Sequence, residues 1–379
     1  MNIKALLEHM IEVGASDLHI KPGIPPVVRV NGRLQRTSFD APAPRDLEEV
    51  ARKILTPLQR EKFESTREID FAFGVTGLAR FRANFYVQRS SIAMVFRHVP
   101  VNIQTVDELG LPNVIKDLAQ RPRGLVLVTG TVGSGKSTTM AAMIQQVNRN
   151  LNASIITIED PIEFLHRDDK AIINQREVGS DTATFHEALR HILRQDPNVI
   201  MIGEIRDVET MEIALKAADT GHLVLSTLHT IDAPQTINRI ISFFPPHHHQ
   251  EVRYLLASTL QGVVSQRLIR RSDGRGRVAA VEVLVTTGTV RDCIISPDKT
   301  PLLHQVMRES VTTHSMQTFD QALMKLYQDG VISLDDALRA SSKPHELTLR
   351  LKGIQATSDQ TWKGFEAEGA AEPVNTDRI

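Results

Sequence analysis

The feature that most constrains how this chain can fold is the octapeptide GTVGSGKS, Gly130 to Ser137, which matches the pattern G-x-x-x-x-G-K-[ST]. It follows the apolar run LVLVT and precedes STTMAAMIQQVNRN, which read as a strand and a helix. Glycines at such a turn let the backbone wrap a phosphate chain, while successive N–H groups and the helix N-terminus supply positive potential. Gly130, Thr131, Val132, Gly133, Ser134, Gly135, Lys136, Ser137 and Thr138 are therefore the candidate nucleotide-binding residues. Lys136 would reach the β- and γ-phosphates of ATP and Ser137 would ligate Mg²⁺. An ordinary glycine turn is the competing reading, and the strand-to-helix context disfavours it.

From Gly124 onward, short apolar runs (GLVLVTG, SIITIED, VIMIGE, HLVLSTLH) alternate with helical segments such as TFHEALRHILRQ. Continuous apolar strands interleaved with helices predict an α/β core with a parallel sheet covered on both faces. Three places in this core carry candidate chemistry. In NVIMIGEIRD, Glu204 ends an apolar strand, where an acid can hold Mg²⁺ through water if the strand lies beside the phosphate loop. Alone, such an acid is more often a helix cap. In IITIEDPIEF, Glu159, Asp160 and Glu163 emerge at the carboxyl edge where open α/β sheets bind ligands, and Pro161 redirects the chain. The cluster could equally cap the next element. His222 and His229 flank LVLSTL; seven residues apart on a strand, they face opposite sides, which argues against a joint metal site and leaves either a sensor of the γ-phosphate or a structural role.

The first 99 residues read as an α+β unit: an amphipathic opening helix, strands at SDLHI, IDFAF, ARFRANFYV and IAMVFRHV, and a hairpin at PVVRVNGRLQR turning on Asn31-Gly32. Glu8, His9 and Glu12 interrupt the opening apolar stretch, so it does not resemble a signal peptide, and no run approaches the roughly 18 apolar residues of a membrane span. Arg80, Arg82, Arg89 and Arg97 alternate on strands, as surface residues or as arginine fingers acting in trans. The histidines of PPHHHQ point different ways from a helix start and make a poor metal site. Prolines in PVNIQTVDELGLPNVIKDLAQRPRG mark the expected domain boundary. The predicted organisation is an N-terminal domain at 1–99, a linker at 100–120, an ATPase domain at 121–285, a helical region at 286–354 and a disordered tail at 355–379. A net charge of -1 and 4% aromatic residues give no support for nucleic-acid binding, and the single Cys293 excludes an internal disulfide and suits a reducing, cytoplasmic compartment.

Taken together, ASDLHIKPG, GTVGSGKST, IITIEDPIEF, LRQDPNVIMIGEIRD and TGHLVLSTLHT resemble the secretion-type hexameric ATPases, and within them the type IV pilus retraction ATPases of the PilT/PilU group. The resemblance runs from about residue 3 to residue 350. It implies a PAS-like N-terminal domain joined to a RecA-like P-loop ATPase core, assembled as a homohexamer with nucleotide between domains. It further implies Lys136 and Ser137 in Walker A and Glu204 in Walker B. Glu159, Asp160 and Glu163 would form the Asp box, Glu163 activating water, Glu159 supporting the metal and γ-phosphate side, and Asp160 shaping the turn. His222 and His229 fall in the His box, and Arg82 and Arg97 resemble the N-terminal-domain arginines that reach the phosphates.

The implied function is an ATP-hydrolysing motor that retracts type IV pili and supports twitching, working on an inner-membrane platform protein at the pilus base, peripheral to the membrane, alongside a paralogous retraction ATPase. The superfamily's assembly ATPases carry a longer N-terminal extension and a tetracysteine zinc site, which favours retraction for this one-cysteine chain. The family's AIREGK-like motif after the VEVLV strand is replaced here by VRDCIISPDKT. That departure keeps an accessory ATPase with little retraction of its own as an alternative. A nucleic-acid translocase and a small-molecule kinase stand behind it.

Overall fold

The computed structural model describes residues 1–30 and 32–351, and these form two compact units. The first comprises Met1–Asn102 together with Glu159–Arg167 and Gln175–Thr184. Its elements are α1 (Ile3–Glu12), β1 (Asp17–Ile20), β2 (Val27–Val30), β3 (Arg33–Arg36), α2 (Pro44–Ile54), α3 (Pro57–Thr66), β4 (Glu68–Val75), β5 (Ala79–Gln88) and β6 (Ser91–Val99). The strands make one six-stranded antiparallel sheet in the order β3-β2-β1-β6-β5-β4. Period-two alternation decides its faces: Phe81, Ala83 and Phe85 of β5 are buried, whereas Arg80, Arg82 and Asn84 face the other way. Phe85 meets Phe71 and Phe96 edge-on, with ring centroids 5.1 and 5.7 Å apart, and Leu6, Leu7 and Met10 of α1 and Leu47 and Val50 of α2 complete this core. The predicted hairpin forms, with Val30 opposite Arg33 and Gly32 at φ 79°; Asn31 lies outside the described residues.

The second unit comprises Ile103–Ile158, Asp168–Asn174 and the described residues from Phe185 on. It opens with α4 (Val114–Ala119), β7 (Gly124–Thr129), α5 (Lys136–Asn150) and β8 (Ser154–Glu159), followed by β9 (Ile172–Glu177), α6 (Phe185–Ile192), β10 (Val199–Ile202), α7 (Val208–Asp219), β11 (Leu223–Leu228), α8 (Ala233–Ser242), α9 (His249–Thr259), β12 (Leu260–Arg270) and β13 (Arg277–Val285). The C-terminal helices are α10 (Gly288–Ile295), α11 (Leu303–Glu309), α12 (Val311–His314), α13 (Phe319–Gln328), α14 (Leu334–Ala340) and α15 (Pro344–Leu351). The strands form a seven-stranded sheet in the order β13-β12-β7-β11-β10-β8-β9, with β12, β7, β11, β10 and β8 parallel and β13 antiparallel. Every residue of β7, β10 and β11 is buried, as a sheet covered on both faces requires. The fold is therefore the expected one, an α/β RecA-like core preceded in sequence by a smaller α+β PAS-like unit.

The stretch at 100–120, expected to be a linker, is packed: Ile103, Val106, Leu111, Val114, Ile115, Leu118 and Ala119 are all buried in the second unit. Its prolines end strand structure, but its apolar side chains still bury. Residues 355–379, expected to be a disordered tail, lie outside the described residues.

Candidate active site

The phosphate loop hangs on β7. Gly130 follows Thr129 with φ 146°, and a Cβ there would lie 2.4 Å from Ser134 Oγ and 2.6 Å from the Gln266 carbonyl oxygen, so only glycine lets the chain leave the strand in this direction. Gly133 (φ 76°) and Gly135 (φ 93°) complete the turn, and α5 begins at Lys136. The Lys136 ammonium is buried and donates to the carbonyls of Gly130 (2.8 Å) and Thr131 (2.9 Å), while Thr131, Val132 and Gly133 are exposed. Ser137 and Thr138 are half-buried in the first turn of α5, where free N–H groups and the helix dipole favour an anion.

Strand register puts Glu204 and His229 at the same sheet edge. Leu228 lies opposite Thr129 and Ile202 opposite Ser226, so β7, β11 and β10 end together, and the Gly130 N–H donates to the Leu228 carbonyl. Glu204 Oε2 is 3.0 Å from His229 Nε2, and the Arg206 guanidinium donates to Oε1. Burial would raise the Glu204 carboxyl, but the hydrogen bonds from Arg206 and His229 outweigh it and hold the group below the ordinary carboxylate value. An ionised, half-buried carboxylate and a helix-start hydroxyl are the kind of oxygen donors that suit Mg²⁺, a hard cation that retains water, and β11 stands between the strands that carry them.

His222 lies apart from these residues. It precedes β11 at the opposite sheet edge, where its carbonyl accepts the Gly124 N–H and its Nδ1 sits 3.0 Å from the Ala217 carbonyl at the end of α7. Six strand residues separate the two histidines, about 20 Å along a parallel sheet, so His222 caps a helix in this chain and lies far from the phosphate loop.

The acids of IEDPIEF belong to the first unit. Glu159 is buried; its Oε1 accepts from Gln175 Nε2 (3.0 Å) and its Oε2 from the Glu163 N–H (3.4 Å), so it organises the loop that carries Glu163. Asp160 is exposed and precedes a cis Pro161. Glu163 Oε1 lies 3.5 Å from Arg82 Nη2, and the same guanidinium donates to the carbonyls of Pro161 and Ile162, both at 3.1 Å. Arg97 sits opposite Arg82 and donates from Nε to Asp17 Oδ1 at 2.8 Å. Burial would raise the Asp17 carboxyl, yet hydrogen bonds from Arg97 and Ser16 hold it below its ordinary value. Arg80 pairs with buried Glu177 at 3.2 Å, and Arg89 is exposed in the β5–β6 turn. A pocket of about 480 Å³ opens among Asp17, Asn84, Arg82, Arg97, Asp160 and Glu177.

Comparison with known proteins matches this layout. The sequence pattern of the family described as Type II/IV secretion system protein matches residues 93–339. The chain belongs to that family. Among its relatives in the secretion family are the type IV pilus ATPase PilU of Pseudomonas aeruginosa, 43% identical over 95% of this chain and 94% of that protein, and the retraction ATPase PilT of the same organism, 44% identical over 91% and 99%. The crystal structure of a pilus retraction motor, PilT with bound ADP, superposes with a TM-score of 0.86 at 45% identity, covering 92% of this chain and 99% of that one. Within the secretion family the chain is a member of the PilT/PilU group of pilus ATPases.

Several residues that shape the site carry no motif. Gln175, whose side chain braces Glu159 and the Phe164 carbonyl, stands on a strand absent from the sequence reading, and Glu177 holds both Arg80 and the Ile162 N–H. Arg206 was visible within GEIRD, but its pairing with Glu204 depends on the turn after β10. Asp17 had a signal: a charged residue beside buried Leu18 on a strand needs a partner.

Proposed function

We propose that this chain is an ATP-hydrolysing motor that powers retraction of type IV pili. The observation that carries the catalytic reading is Glu204 held between His229 and Arg206 at the sheet edge where the phosphate loop begins. The retraction reading is supported by likeness to PilT across nearly the whole of both chains.

In this reading the loop N–H groups and Lys136 bind the phosphates of ATP, and Lys136 exchanges its bonds to Gly130 and Thr131 for phosphate oxygens. Ser137, and Glu204 through water, would hold Mg²⁺, which when bound offsets phosphate charge. His229 senses the γ-phosphate and reports it to Glu204 through their hydrogen bond. Glu163 takes the proton from the attacking water; Arg82 and the Glu159-braced loop orient its carboxylate. Arg82 and Arg97 serve the phosphates of a nucleotide in a homohexameric ring. Hydrolysis moves N-terminal units against neighbouring ATPase units, which turns an inner-membrane platform protein and draws pilin out of the fibre. The motor works from the cytoplasmic side; among the described residues no helix is long and apolar enough to cross a membrane.

Glu163→Gln tests the base: nucleotide binding stays, and turnover falls by about 10²-fold or more. Near-normal turnover would assign the proton to another group. The comparable likeness to PilU and the VRDCIISPDKT segment favour one second reading, an accessory ATPase that acts beside a principal motor.

A further inference from the structure

Glu282 is the one acid on β13, set between apolar residues, and it is 1% exposed. In the sheet it lies opposite Ser265, which lies opposite Thr129, which lies opposite Leu228. This row ends at the residues that precede the phosphate loop and His229, and the Thr129 hydroxyl donates to Ser265 Oγ at 2.9 Å. Glu282 Oε1 accepts the Ala233 N–H at 2.9 Å. Ala233 opens α8 four residues after His229, and the intervening segment is pinned by the Thr230–Thr236 hydroxyl pair (2.7 Å) and by Asp232, which caps α8 through the Gln235 N–H. Its Oε2 lies 3.6 Å from His304 Nδ1 on α11. One buried carboxyl on β13 thus takes hold of the exit of the His229 strand and faces a C-terminal helix.

We infer that Glu282 is a positioning residue for ATP hydrolysis, holding the segment after His229 against β13 so that His229 meets Glu204. The inference rests on the sensor reading of His229. Its physical basis is the cost of a buried N–H without an acceptor: without Glu282, the Ala233 N–H would be left unpaired, and the segment would part from β13 to reach water. Burial pushes the Glu282 carboxyl up to about 8, against the pull of the Ala233 N–H; Asp232 raises it further and Arg267 and the Phe319 N–H lower it. His304, facing it from α11, is lowered by burial, with Asp232, Lys343, Asp320 and Arg267 around it. The pair is therefore neutral at neutral pH, and the Ala233 N–H bond, not charge, carries the link.

The test is steady-state ATP turnover of the full chain in a cycle with His229→Ala. Glu282→Leu is expected to lower kcat about tenfold with KM for ATP within about twofold, because the phosphate loop is untouched, and Glu282→Gln, which keeps an acceptor, to recover to within about threefold of the parent. If Glu282 acts through His229, the double variant is no slower than His229→Ala alone. A double variant whose loss is the product of the two single losses overturns the inference and leaves the sensor reading standing. A His229→Ala chain as fast as the parent overturns the sensor reading, and this inference with it. Should Glu282→Leu not fold, Glu282→Ala, which removes the acceptor without adding bulk, takes its place in the same cycle.

Discussion

Replacing Gly130 with alanine should damage the phosphate loop far more than replacing Gly133, and the two positions differ in ways that can be worked out. At Gly130 the backbone has φ 146°, and the added Cβ would come within 2.4 Å of Ser134 Oγ and 2.6 Å of the Gln266 carbonyl oxygen. The first neighbour can rotate, but the second is backbone of β12, hydrogen-bonded within the sheet. The disfavoured φ costs about 1–3 kcal/mol and the forced overpacking about 1–3 kcal/mol more, roughly 2–6 kcal/mol together. At Gly133 the φ is 76° and a Cβ meets nothing within 4 Å, leaving only the left-handed backbone term of about 1–2 kcal/mol. Urea unfolding of the nucleotide-free variants measures the difference without interference from phosphate contacts, and Gly130→Ala should also weaken binding of a non-hydrolysable ATP analogue. Equal unfolding shifts for the two variants would refute the claim that Ser134 and Gln266 set the loop's path.

Two further expectations concern pH. His166 is half-buried and held down to about 4 from its ordinary 6.5 by desolvation, so the unfolded chain takes up a proton that the folded chain refuses. Stability is therefore intact above about pH 6.5 and lost by roughly 3 kcal/mol as pH falls to about 4, a slope that His166→Gln should flatten in unfolding curves. Asp17 is held below its ordinary 3.8, so its contribution is present above that value and lost as pH falls through the folded value. Asp17→Asn should accordingly cost about 1–2 kcal/mol at pH 7, a deficit that closes below about pH 4.

What the sequence made legible was what backbone geometry dictates. The phosphate loop, Glu204 and His229 were readable because each follows a largely apolar strand, and parallel strands bring such residues to one edge. His222 escaped because the same strand length that separates it from His229 carries it to the far edge, and its partner, the Ala217 carbonyl, belongs to a helix end that no motif marks. The burial of the 100–120 region is not legible in its prolines, which announce the end of a strand and say nothing about packing. Glu159 was expected beside phosphate, whereas in the fold both its oxygens are engaged with Gln175 and the Glu163 N–H. Such pairings depend on long-range contacts, as does the Arg97–Asp17 bond across 80 residues of sequence.

If this chain converts ATP hydrolysis into pilus retraction, deleting its gene in the native organism, scoring surface pili and twitching, and complementing with the parent chain or with Lys136→Ala separates retraction from its alternatives. The deletion cells should carry excess pili and not twitch, and the parent but not Lys136→Ala should restore them. Loss of pili would point to assembly instead, and unchanged motility with unchanged pilus number would contradict a role as the principal retraction motor.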